Sequence, residues 1–141
     1  MKIIFSFFLL IFAIAVKAQG TITVKVSNLK SNNGVARICL FDNAAAFNGE
    51  GKPVQCVAAA VTNKNASAVF QNMPAGTYAI SVFHDVNSNN KLDVNFLGIP
   101  KEGYGASKNK LPFASAPVFA ENQFTLQSGA HVQLPIKLRH L

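Results

Sequence analysis

Thr77-Tyr78-Ala79-Ile80-Ser81-Val82-Phe83-His84, introduced by Met73-Pro74-Ala75-Gly76, is the stretch on which the fold turns. Tyr78, Ile80 and Val82 alternate with Thr77, Ala79 and Ser81. A period of two belongs to a strand with one face on a core, so the first set is expected to point inward. Upstream, Thr21-Ile22-Thr23-Val24-Lys25-Val26-Ser27-Asn28-Leu29 repeats the pattern with β-branched residues. After the turn cluster Ser31-Asn32-Asn33-Gly34 the chain resumes as Val35-Ala36-Arg37-Ile38-Cys39-Leu40-Phe41-Asp42, and the two segments are expected to form a hairpin. Asn43 to Pro53 reads as a loop with one helical turn. Val54 to Thr62 and Ala66 to Asn72 read as short strands around Asn63-Lys64-Asn65, whose Asn residues tolerate the positive φ of a tight turn. Val118 to Leu126 and Ala130 to Leu138 close the chain as two more strands around Gln127-Ser128-Gly129. About seven short strands without a helix of any length predict an all-β, antiparallel β-sandwich of the immunoglobulin or transthyretin kind, with a closed barrel as the alternative.

At the amino end, Lys2 precedes a run from Ile3 to Val16 that is apolar almost without interruption and shorter than the roughly 20 residues of a membrane span. Val16-Lys17-Ala18 offers small or medium side chains to a signal peptidase, and Gln19-Gly20 begins a polar segment. Residues 1–18 are therefore expected to be a cleaved signal peptide, with an uncleaved anchor as the alternative. No Cys follows the cleavage site, so a lipid anchor there is not indicated. Residues 19–141 are expected to form one β-sandwich domain, periplasmic or secreted, with no membrane span after cleavage.

The chain carries 13 Lys and Arg against 6 Asp and Glu, a net charge of +7. Lys2 and Lys17 lie in the leader, so the exported part keeps a basic excess of +5. That excess is scattered from Lys25 to Arg139 rather than gathered in one run, which argues for a solvated basic surface and against nucleic acid as a partner. The two cysteines, Cys39 and Cys56, fall in successive predicted strands. Outside the cytoplasm a disulfide between them is expected, worth about 3 kcal/mol, with two buried thiols as the alternative.

Beyond His84 the pattern dissolves into a long loop, residues 85–117, crowded with Asn, Gly, Lys and Pro yet carrying Phe96, Leu97, Ile99, Tyr104, Leu111 and Phe113. Loops of this length in compact domains are usually functional or disordered, and the apolar content favours an ordered, functional one. Asp85, Asn87, Asn89 and Asp93 place side-chain oxygens at the first, third, fifth and ninth positions of an acyclic calcium loop, Lys91 offers its carbonyl at the seventh, and Asn90 suits the left-handed turn between them. Phe96 stands where such a loop places a bidentate Glu. Glu102 is the carboxylate that could fold back instead. Calcium is therefore the one cofactor the spacing suggests, and the alternative is that Asp85, Asn87 and Asn89 cap turns through backbone hydrogen bonds.

His84, Phe96, Tyr104 and Ser107 are the candidate binding surface around this loop. Rings at Phe96, Tyr104 and Phe113 could stack on a glycan or a peptide, or could pin the loop to the sandwich. No G-x-S-x-G, H-E-x-x-H, C-x-x-C or phosphate-binding glycine loop occurs. His84 beside Asp85 is the one suggestive histidine.

The run from Gly76 to Asp93, with His84-Asp85-Val86-Asn87 at its centre, continues into Leu97-Gly98-Ile99-Pro100-Lys101-Glu102-Gly103-Tyr104-Gly105-Ala106-Ser107. These residues resemble the signature of domain-of-unknown-function family 2141, small exported bacterial proteins. The resemblance spans nearly the whole exported part and implies export without implying an activity. Asn90 stands where a Gly is usual, and Ala106 where a bulkier residue is usual. A weaker likeness, to carrier-protein sandwiches, lies in the Pro74-x-Gly76-x-Tyr78 approach to the central strand and implies a transthyretin-like fold. The function expected is a non-enzymatic binding or accessory module for an extracytoplasmic protein or glycan, with calcium organising the loop. The rival is a secreted hydrolase using Asp85, Asp93, Glu102 and His84.

Overall fold

The computed structural model describes residues 16–141, so most of the expected leader, residues 1–18, lies outside the described residues. Strands β1 (Gly20–Ser27) and β2 (Val35–Phe41) precede the one-turn helix α1 (Ala44–Phe47). Strands β3 (Gln55–Ala60), β4 (Ala66–Met73), β5 (Gly76–Asp85) and β6 (Tyr104–Ala106) follow. The chain ends through the short helix α2 (Phe119–Asn122) and strands β7 (Phe124–Leu126) and β8 (His131–Lys137).

These strands form a sandwich-like all-β fold of two sheets. One has the order β4-β1-β8 and the other β3-β2-β5-β6, with β7 pairing the start of β5. The alternation read from β5 holds: Tyr78, Ile80 and Val82 are buried, and Ala79 joins them. Ile22, Val24 and Val26 from β1, Phe70 from β4, Ile38 and Leu40 from β2, and Ile136 from β8 complete one cluster between the sheets. Burying each such side chain is worth about 1.5–3 kcal/mol, which is why a period of two determines the inner face. No helix among the described residues is long and apolar enough to cross a membrane.

Three expectations need correction, and one more, the antiparallel sandwich, holds with one exception. First, β1 and β2 do not pair as a hairpin; β1 lies between β4 and β8 while β2 lies between β3 and β5. The connection crosses from one sheet to the other: Asn28 takes a left-handed φ of 66°, Leu29 plugs the core, and Asn32 Oδ1 accepts from Lys64 N at 2.8 Å. Gly34 is left-handed as well, and a Cβ there would run into the backbone carbonyl of Asp85. The exception is that β1 and β8 run parallel, so the sandwich is mostly rather than wholly antiparallel. Pro135 is tolerated because β8 is an edge strand, and the side chain of Asn109 covers that edge by donating to Pro135 O and accepting from Lys137 N.

Second, Val118 to Leu126 is not one strand. Its first half coils into α2, where the buried Asn122 is occupied by hydrogen bonds, and only β7 is extended. Third, the long loop 85–117 is interrupted by β6, which pairs with β5 through Ser81↔Ala106 and Phe83↔Tyr104. Gly105 and Ala106 carry no apolar alternation, so β6 leaves no period in the sequence; at Gly105 a Cβ would meet Ile136 of the opposite sheet.

The turn at Asn63-Lys64 is the tight one expected, with φ of 51° and 58° and paired hydrogen bonds between Thr62 and Asn65. It carries the chain from the edge strand β3 of one sheet to the edge strand β4 of the other. Cys39 lies opposite Cys56 in the β2–β3 register, and the two form the expected disulfide.

Candidate functional site

The segment of interest starts where β5 ends. Asp85 follows Ser81 and Phe83 on the outer face of β5, and the register places Arg37 of β2 opposite Phe83, one diagonal step from Asp85. Arg37 Nε donates to Asp85 Oδ2 at 2.6 Å. The other Asp85 oxygen accepts from Asn89 N at 3.0 Å, and Oδ2 also accepts from Asn90 N at 2.9 Å. The Asp85 side chain has no accessible surface, yet the cover is thin, since the Arg37 side chain above it keeps 25% of its own exposure. Burial pushes the Asp85 carboxyl upward, but the Arg37 hydrogen bond and charge and the N–H groups of Asn90 and Asn89 outweigh it and hold the group below its ordinary value of 3.8.

From that anchor the chain winds through two left-handed residues, Ser88 with φ 57° and Asn90 with φ 67°, the latter as its sequence position implied. The winding brings Asn87, Asn89 and Asp93 together. Asn87 Nδ2 donates to Asp93 Oδ2 at 2.7 Å and Asn89 Nδ2 to Asp93 Oδ1 at 2.8 Å. Asn87 Oδ1 accepts from Asn89 N, and Asn89 Oδ1 accepts from Lys91 N. Glu102 does fold back to this turn. Its two oxygens accept from Val86 N at 3.0 Å and Asp93 N at 3.1 Å, so the carboxylate bridges the start and the middle of the loop.

Of the six residues expected to hold a metal, Asp85, Asn87, Asn89, Lys91 and Asp93 thus share one turn, with Glu102 bracing it from behind. Among the described residues no three His, Cys, Asp or Glu side chains are grouped to hold a metal ion, so any cation here would depend on the amide oxygens of Asn87 and Asn89 and on backbone carbonyl. Turn capping by Asp85, Asn87 and Asn89 is present in full.

The four residues expected at a binding surface are placed differently from one another. His84 is buried on the inner side of β5, its Nε2 against Asn33 O at 2.8 Å. Ser107 is buried, donating to Asn122 O at 2.6 Å and accepting from Ile80 N at 2.9 Å. Tyr104 is nearly buried at the floor of a groove. Phe96 alone stands in solvent. His84 and Ser107 point inward because each sits on the core side of a strand or strand end, where a polar group must find a backbone partner. Phe113 is exposed too, so neither it nor Phe96 pins the loop to the sandwich.

Two residues that hold the site escaped the sequence reading. Arg37 was one of many scattered cations; the available signal was a lone Arg in an otherwise apolar strand, with nothing to say that this strand would lie beside the one that leads into Asp85. Asn122, fully buried, braces the returning half of the loop: its side-chain oxygen accepts from Lys108 N and Lys110 N, and its amide donates to Lys110 O and Val118 O. Nothing in the sequence separates it from the other asparagines.

A groove of about 680 Å³ opens between the two halves of the loop, lined by Leu97, Ile99, Pro100, Tyr104, Phe113 and Leu141 among others.

A family model described as "Uncharacterized protein conserved in bacteria (DUF2141)" matches residues 24–133, which takes in the sandwich and the whole loop. No curated protein matches. Among solved structures, a leucine-rich repeat protein from Bacteroides thetaiotaomicron VPI-5482 is similar at 16% identity and a TM-score of 0.38. The likeness covers 89% of this chain and 14% of that one, so this chain spans about one seventh of that protein's length.

Proposed function

The chain belongs to the DUF2141 family, and on that premise we propose that it is an exported, non-enzymatic binding or accessory module whose working surface is the Asp85–Ser107 segment, organised by a bound calcium ion. The observation that carries this reading is the convergence of the Asn87 and Asn89 amides on the two oxygens of Asp93, in the turn anchored by Asp85. Calcium takes about six to eight oxygen ligands, and two carboxylates, two amide oxygens and the Lys91 carbonyl are of that chemistry. A half-turn of either amide presents its oxygen where its nitrogen now points, in exchange for the bond that oxygen now accepts from Asn89 N or Lys91 N. Glu102 keeps the loop closed by holding Val86 N and Asp93 N, a role that leaves the cation to the residues in front of it.

Export is supported by the leader-like residues 1–18 and by a disulfide between Cys39 and Cys56, a bond that persists in oxidising compartments. The non-enzymatic reading is supported by what the hydrolase residues do: Asp85 holds Arg37 and two backbone N–H groups, Glu102 holds two more, and His84 faces Asn33 O.

A thermal melt of the oxidised chain in calcium and then in chelator tests the reading. Binding to the folded state alone stabilises by about 2.7 kcal/mol when calcium is about 100-fold above its Kd. The melting temperature is expected to rise with calcium and to fall back with chelator. Asp93→Asn is expected to remove most of the rise while melting near the parent in chelator. A parent melt indifferent to calcium would sink the cation. An Asp93→Asn chain with unchanged melting and a lost hydrolytic activity would move the carboxylates to the hydrolase.

A further inference from the structure

Phe96 is 94% exposed and Phe113 88%, and Leu97 beside Phe96 is 67% exposed. Leu97 and Phe113 stand at the mouth of the one groove that Tyr104 floors, so the three side chains belong to one end of the molecule. Exposed apolar residues gathered in this way, rather than scattered singly, mark an interaction surface.

The charge around them is one-sided. Lys91, Lys101, Lys108 and Lys110 are all exposed on the same segment. Two of its three carboxylates are buried, Asp85 against Arg37 and the Asn89 and Asn90 amides and Glu102 against the Val86 and Asp93 amides, and the half-buried third, Asp93, is taken up by the side-chain amides of Asn87 and Asn89. The single ion pair among the described residues is Arg37–Asp85, so no acid pairs directly with these lysines. Arg139 reinforces the same end, its guanidinium donating to Leu111 O and Pro112 O immediately before Phe113.

We propose that this end of the domain docks on an anionic lipid surface, with Phe96, Leu97 and Phe113 entering the boundary between headgroups and acyl chains and the four lysines facing the lipid phosphates. Projecting rings flanked by cations suit an interface that is apolar below and negative above, and interfacial affinity grows with both the apolar area buried and the charge. A protein partner would have to supply an acidic rim around an apolar ridge that fills the groove. A bilayer supplies both halves without a shaped counterpart, and gives Phe96, which is exposed and not part of the groove lining, something to bury against. The proposal rests on the loop being the working surface and does not require the cation.

The test is sedimentation of the chain from Gln19 onward, which contains every strand and lacks the apolar leader, with vesicles of phosphatidylcholine alone or mixed with phosphatidylglycerol, in chelator. Binding to the mixed vesicles is expected, about tenfold or more weaker to the neutral ones, and released in about 0.5 M salt. Phe96→Ser with Phe113→Ser should melt like the parent and lose the binding about tenfold or more, and Lys101→Glu with Lys110→Glu should do the same. Absence of vesicle binding overturns the proposal, as does equal binding to both vesicles or binding that the serine pair leaves intact. Self-association abolished by the serine pair, without vesicle binding, assigns the ridge to a second copy and also overturns it. A calcium-dependent melt that survives such a failure leaves the loop as a cation site and removes only the lipid.

Discussion

In the sandwich, Ile22, Ile38, Phe70 and Ile80 have no accessible surface and their polar neighbours turn outward. In the segment from Asp85 to Val118 the arrangement is inverted: Asp85, Glu102 and Ser107 are closed in, while Phe96, Leu97 and Phe113 stand in water. Both regions are ordered, but by different forces. Apolar area holds the sheets, and that force is non-directional, so a strand with the right period settles wherever a face needs covering. Directional bonds from Asp85, Glu102 and four asparagines hold the loop by answering backbone N–H groups that no ladder satisfies, and Asp93 ties two of those asparagines together through their side-chain amides. A surface that leaves its apolar residues free is the outcome of the second method.

The two regions should therefore fail differently. The largest effect is expected at the centre of the sandwich: Phe70→Ala should cost about 3–5 kcal/mol, read as a fall in the urea midpoint. Next, replacing Cys39 and Cys56 together by Ser should cost about 3 kcal/mol in the same experiment, since the bridge closes a connection of 17 residues. A loss there much below 1 kcal/mol would mean that α1 and its contacts already restrain that connection.

In the loop, Arg37→Met should cost about 1–3 kcal/mol at neutral pH, because it leaves a buried carboxylate with two N–H donors and no counter-charge. Its signature lies in pH. Asp85 is held below 3.8, so its contribution is present above that value and is lost as pH falls through the lowered folded value. The parent should lose stability on acidification through this range. The Arg37→Met chain should lose less, because protonation relieves an unpaired buried charge. Parallel acid curves would break the claim that the ion pair organises the loop. The smallest effect is expected from Phe96→Ser, within about 0.5 kcal/mol of the parent by melting, since the ring touches little in the folded state.

Much of the loop's chemistry was legible before any fold was known. The alternation of Asp85, Asn87, Asn89 and Asp93 marked a wound polar turn, Asn90 marked its left-handed position, and Glu102 marked a carboxylate that could return to it. These are local signals, because a side chain that bonds the backbone two to five residues away needs only its neighbours. Which oxygen would meet which N–H was not legible. Nor was it visible that His84 and Ser107 face inward, since that depends on the end of β5 and the α2 segment closing over them.

What the sequence by itself determined is the set of strands with a period of two, the inward face of β5, the turn at Asn63-Lys64, the cysteine pair and the polar turn after Asp85, each of them a consequence of residues close in the chain. Tertiary structure alone decided that β1 and β2 part to different sheets, that β1 and β8 run side by side in parallel, that Tyr104–Ala106 forms a strand, and that Arg37 meets Asp85. Alternation says which face of a strand is apolar but not which neighbour covers it, because any correctly phased strand buries the same area. The choice among neighbours is made by the connections: a plug at Leu29, a left-handed Gly34 against the Asp85 carbonyl, and a buried Asn122 that turns the chain before β7.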